Sequence, residues 1–131
     1  MKLILLAEDD PERAAEIQVC MPVGARCIWA KSAGAAIGVL KRDKLVGVML
    51  DHDLDSDPQA SALDGRKVAR VVCETQSRST CSVFVHSQNR IGGAAMVSYL
   101  QQAGFRVERC AWCDEAIPVI KEWLDSVSAD A

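Results

Sequence analysis

Five short strand-like runs, at residues 2–7, 26–30, 45–50, 81–85 and 105–110, alternate with stretches of helical periodicity, and this alternation leaves the chain few architectures. The first and third runs are apolar along nearly their whole length, as strands covered on both faces must be, which predicts a parallel sheet flanked by helices through right-handed crossovers. The punctuation agrees. Pro11 pre-sets a first helix reaching about residue 20, Ser32 can cap a second through Leu40, and Asp64-Gly65 precedes a third over 66–74. A fourth is expected from about Gly92 to Gln102, stopped by Gly104, and Asp114 can cap a fifth reaching Ser126. The polar segment between Leu54 and Leu63, with Pro58, is read as a loop placed to cover strand ends.

With no linker or internal repeat in its 131 residues, the chain is expected to form a single α/β domain of flavodoxin-like type over 1–131, five parallel strands in the order 2-1-3-4-5. A chain of this length buries about two thirds of its unfolded surface, enough for one core without disulfides. In that order the carboxyl ends of strands one, three and four are neighbours. Asp9, Asp10, Asp51, His52, Asp53, His86 and Ser87 should therefore converge where such sheets bind ligands. The chain has two histidines, and both fall at these ends, His52 among carboxylates and His86 beside a hydroxyl and an amide. Histidine suits proton transfer near neutral pH, so the pair is read as an acid and a base. Ser87, Asn89, Arg90 and the amides around Gly92 and Gly93 are expected to bind phosphoryl oxygens at a helix start. Asp9, Asp10, Asp51 and Asp53 in one crevice would repel one another, and a divalent cation, Mg²⁺ or Mn²⁺, would relieve that repulsion.

A net charge of −3 excludes broad electrostatic binding along a nucleic-acid backbone and favours a small partner or a short RNA end held by local arginines. The apolar opening reaches Glu8-Asp9-Asp10 too soon for a signal peptide or a membrane span, so a cytoplasmic protein is expected, with its six cysteines reduced. Cys110-Ala111-Trp112-Cys113 lacks the second pair that a zinc site needs and is read as small packing residues. Ala95, Val97, Tyr99 and Leu100 are read as the core side of the fourth helix.

The run Leu6-Ala7-Glu8-Asp9-Asp10-Pro11, the Leu50-Asp51 strand end, Asp64-Gly65 and the Ser87 alcohol resemble the framework of response-regulator receiver domains across nearly the whole chain. More specifically, Asp9-Asp10 with Arg13, the Leu50-Asp51-His52-Asp53-Leu54 block, and His86-Ser87 with Asn89, Gly93-Ala94 and Met96 resemble the cyclic-phosphate processing receiver-like domains. That resemblance implies a phosphoesterase opening cyclic phosphates, on RNA ends or small cyclic nucleotides, and leaves room for a partner protein. A receiver also carries a lysine after its fifth strand to hold the phosphoryl group. Here the stretch reads Glu108-Arg109-Cys110-Ala111-Trp112, and histidine directly follows Asp51 at the phosphoacceptor position. Stable aspartyl phosphorylation is therefore not expected. Either Asp9 or Asp10 could take the receiver's metal-binding role.

Overall fold

Alternating inward and outward side chains sort the strands onto two cores. The computed structural model describes residues 2–51, 54, 65–113 and 115–129. In chain order it contains β1 (Lys2–Ala7), α1 (Pro11–Gln18), β2 (Ala25–Ala30), α2 (Ala33–Arg42), β3 (Gly47–Leu50), α3 (Gly65–Thr75), β4 (Ser82–Val85), α4 (Arg90–Gln102), β5 (Arg106–Arg109) and α5 (Ala116–Ser128). The strands are parallel and ordered β2-β1-β3-β4-β5, as the alternation predicts. Leu5 and Ala7 of β1, Val48 and Leu50 of β3, and Val83 and Val85 of β4 pack with residues of α2, α3 and α4. Ile4 and Leu6, Met49 and Phe84 point the other way, toward α1 and α5. Phe84 meets Trp123 of α5 with ring centroids 5.4 Å apart, and Gly47 is required there because a Cβ would lie 2.9 Å from the Trp123 ring.

Local chemistry sets the ends of the elements. Asp10 caps α1 by accepting from the amides of Glu12 and Arg13, and the Ser32 hydroxyl accepts from Ala35 at 3.1 Å. Asn89 caps α4, which therefore begins at Arg90, two residues before the expected start. Its buried side is Gly92, Gly93, Met96 and Leu100. Of the residues expected in the core there, Ala95 and Tyr99 are exposed and Val97 is half-buried, because the stripe follows Met96 and Leu100 at a spacing of four. Gly104, with φ +95°, turns the chain out of α4.

Buried Gln76 ties three segments together. Its Oε1 accepts from the Leu45 amide at 2.9 Å, and its Nε2 donates to the carbonyls of Leu40 at 3.1 Å and Asp43 at 2.9 Å. The six cysteines are free; Cys20 and Cys81 are buried, whereas Cys113 is exposed. No helix among the described residues is long and apolar enough to cross a membrane.

Candidate functional site

The alternation that builds the core also builds the site. Leu6 pairs in register with Met49, and Met49 with Phe84, all facing α1 and α5. Two residues further along each strand direction stand Glu8, Asp51 and His86. Backbone pairing persists that far, since the Glu8 amide donates to Ala30 at 3.1 Å and the His86 amide to Leu50 at 3.0 Å. Three apolar columns thus end in three polar side chains that meet. One donor atom from each of Glu8, Asp51 and His86 lies within 4.8 Å of the others, and all three residues are buried.

This group is under-satisfied. His86 Nε2 lies 3.3 Å from Glu8 Oε1, close enough for electrostatic attraction but misaligned for a hydrogen bond. Glu8 Oε1 and both ring nitrogens of His86 have no hydrogen-bond partner among the described residues. Burial pushes the Glu8 carboxyl up, but the adjacent imidazole and the Asp10 amide outweigh it and hold the group below the ordinary carboxylate value. Buried polar atoms without partners are costly, and a nitrogen and two carboxylates converging in this way fit a divalent cation.

Above the group opens a cleft of about 400 Å³ lined by Asp9, Asp10, Arg13, Asp51 and Gln88. Partial burial, with the Glu8 and Asp51 carboxylates nearby, pushes the Asp9 carboxyl up from an ordinary 3.8 to about 6. Asp10 stands at the rim with its Oδ1 engaged in the helix cap. Of the acids expected to hold metal, Asp51 belongs to the convergent group, while Asp9 and Asp10 line the cleft over it. Glu8 takes the inner place, although the sequence reading did not single it out.

Arg13 spans the cleft floor. Its Nη1 lies 3.9 Å from Glu8 and 4.0 Å from Asp51, and its Nε lies 3.7 Å from Asp10. Its Nη2 donates to Gln88 Oε1 at 3.4 Å, and its guanidinium carbon stands 5.8 Å from the Trp112 ring centroid. Gln88 Nε2 in turn donates to the Trp112 carbonyl at 3.0 Å.

The residues expected to cradle a phosphate are largely engaged with one another. The Ser87 hydroxyl is buried and accepts from the Asn89 amide at 3.0 Å, and Asn89 Oδ1 accepts from Gly92 at 2.8 Å. The Gly93 amide donates to the Asn89 carbonyl at 2.7 Å. These amides therefore serve the helix cap and not an open anion site. What approaches Gly93 closely is Arg109, whose guanidinium would lie 2.8 Å from a Cβ there and whose Nη2 donates to the Asn89 carbonyl at 3.4 Å. Arg109 at the end of β5 thus leans on the start of α4. Arg90 is exposed on the first turn of α4. His52, Asp53, Asp64, Asp114 and the 55–63 loop lie outside the described residues.

Solved structures share this fold at low sequence identity. The response regulator domain of Thermotoga maritima CheB superposes with a TM-score of 0.72 at 12% identity, covering 100% of this chain and 99% of that one. The Mn²⁺-bound form of response regulator Rcp1 does so at 0.69 and 17%, covering 100% of both. A CheY-like receiver domain protein from Methanospirillum hungatei JF-1 gives 0.67 and 15%, covering 97% and 96%. A comparison with curated protein sequences finds no significant match. The model of one sequence family, the cyclic-phosphate processing receiver domain, matches residues 4–102. With that match spanning most of β1 through α4, and with receiver topology throughout, the chain belongs to the cyclic-phosphate processing receiver domains.

Proposed function

We propose that the protein is a phosphoesterase that opens cyclic phosphates, on RNA ends or small cyclic nucleotides, in the cleft above Glu8, Asp51 and His86. The observation that carries this reading is the convergence of three buried donors, two of them with atoms unpartnered among the described residues, beneath an open polar cleft in a chain of this family. Opening a cyclic phosphodiester requires a water to lose a proton and the departing ribose oxygen to gain one. Asp51, on the cleft floor, is placed to orient the water. Arg13 is placed to pair with phosphoryl oxygens. His52, next to Asp51 in sequence, is assigned the proton transfer.

His86 is wholly buried beside Glu8, so we assign it as an inner ligand in place of the acid or base role expected for it. Glu8, Asp51 and His86 would hold Mg²⁺ or Mn²⁺, which supplies polarisation of the phosphoryl oxygen and a more acidic bound water. The test is hydrolysis of 2′,3′-cyclic AMP, a cyclic dinucleotide and an RNA bearing a terminal cyclic phosphate, each with Mn²⁺ and with EDTA. Wild type should form monoester products, and Asp51→Asn and His52→Ala should each lower turnover about a hundredfold. Absence of hydrolysis of all three substrates, with Mn²⁺ and with EDTA alike, would overturn the reading.

A receiver-type partner protein is the second reading, favoured by Ile91 and Tyr99 of α4, which stand 86% and 45% exposed. Substitution of both by serine should abolish such binding while leaving hydrolysis intact.

A further inference from the structure

We propose that Arg13 is the resident counter-cation of the site, occupying the charge position of a divalent ion and withdrawing to a perch on Gln88 and Trp112 when the ion enters. The convergent group faces two buried carboxylates and an imidazole into one point, and among the described residues the Arg13 guanidinium lies within 4.0 Å of both carboxylates. Its contacts with Glu8, Asp10 and Asp51, at 3.7–4.0 Å, are ionic proximity without short hydrogen bonds. A guanidinium built to stay would form a bidentate fork on one carboxylate. Arg13 instead divides itself among three, as a mobile counter-ion does.

The other edge of the guanidinium is anchored away from the acids. Gln88 accepts from Nη2, and the Trp112 ring lies beneath the guanidinium carbon. The perch is itself fixed, because Gln88 Nε2 donates to the Trp112 carbonyl. Arg13 can therefore leave the acids without losing its outer contacts. An incoming ion would meet Glu8 Oε1 and His86 Nε2, the buried atoms that Arg13 leaves unpartnered. The ion and the arginine thus compete for one pair of carboxylates, Glu8 and Asp51, and removing the arginine must tighten the ion.

This inference concerns cation binding and rests on the donor group, not on hydrolysis, so its test needs no substrate. Mn²⁺ is titrated calorimetrically into the full chain, stripped of metal beforehand, as wild type, Arg13→Gln and Arg13→Lys. Removing a unit charge about 4 Å from two carboxylates should tighten Mn²⁺ about tenfold or more in Arg13→Gln, allowing for partial exposure. Arg13→Lys, which keeps the charge, should stay within about threefold of wild type, on the order of the smaller reach of lysine. Mn²⁺ should also change wild-type tryptophan emission, and Trp112→Phe should remove that change while Mn²⁺ still binds. Equal or weaker Mn²⁺ binding by Arg13→Gln, a tenfold gain in Arg13→Lys, or no Mn²⁺ binding by any of the three would overturn the proposal. If Mn²⁺ binds as expected and no cyclic phosphate is cut, the phosphoesterase reading alone fails.

Discussion

Neighbouring carboxylates at the end of β1 have different fates because the chain changes direction between them. Glu8 still follows the strand and points inward, whereas Asp10 has turned into the cap of α1. Asp10→Ala should therefore cost about 1 kcal/mol of stability, the usual loss of a helix cap, read by urea unfolding. A loss below about 0.3 kcal/mol would show that the cap bonds contribute nothing net. The same turn explains why Glu8 escaped attention in the sequence. An acidic triplet does not say which member is strand and which is cap. The missing signal was parity: Ile4 and Leu6 face one core, and carrying that alternation one step further puts Glu8 on the same face, beside His86. His86 itself was legible as a strand-end histidine, but its burial was not, because burial depends on α1 and α5 lying over that face.

At the scale of elements, β1, β3 and β4 were legible from their unbroken apolar runs, and α2 from Ser32 followed by apolar periodicity. Boundaries moved where one side chain decided them. Asn89 starts α4 early by capping it, and Gln76 takes the Leu45 amide just ahead of β3, which begins at Gly47. A glutamine at the end of α3 gives no sequence sign that it binds the far ends of α2 and β3. Gln76→Leu would keep the volume and strand a buried amide and two carbonyls. The expected cost is about 2–4 kcal/mol, from the penalty of unsatisfied buried groups, measured by denaturant unfolding with an unchanged slope. Because the linkage lies at the opposite end of the sheet from the cleft, Mn²⁺ affinity should be preserved. A cost under about 0.5 kcal/mol would mean that water replaces all three bonds.

Across the whole molecule, the order β2-β1-β3-β4-β5 gathers negative charge at one edge of the sheet, and the fold must hold it there. Asp9 records that load. Burial and the carboxylates of Glu8 and Asp51 raise it from 3.8 to about 6, so between those values the folded chain keeps a proton that the unfolded chain has released. Folding then takes up a proton, and this group makes stability fall as pH rises from about 4 to about 6, then level off. Glu8 acts in a lower window and with the opposite sign. Its folded value lies below 4.5, so the stability it adds is present above that value and is lost as pH falls through the depressed one. Thermal unfolding in EDTA across pH 3–8 separates the two. Asp9→Asn should remove the decline between about 4 and about 6 and be more stable than wild type at about pH 7, while the acid loss from Glu8 remains. Saturating Mn²⁺ should raise the wild-type transition at neutral pH, since an ion that binds only the folded chain stabilises it. Parallel pH profiles for wild type and Asp9→Asn would show that the converging carboxylates do not repel one another through Asp9.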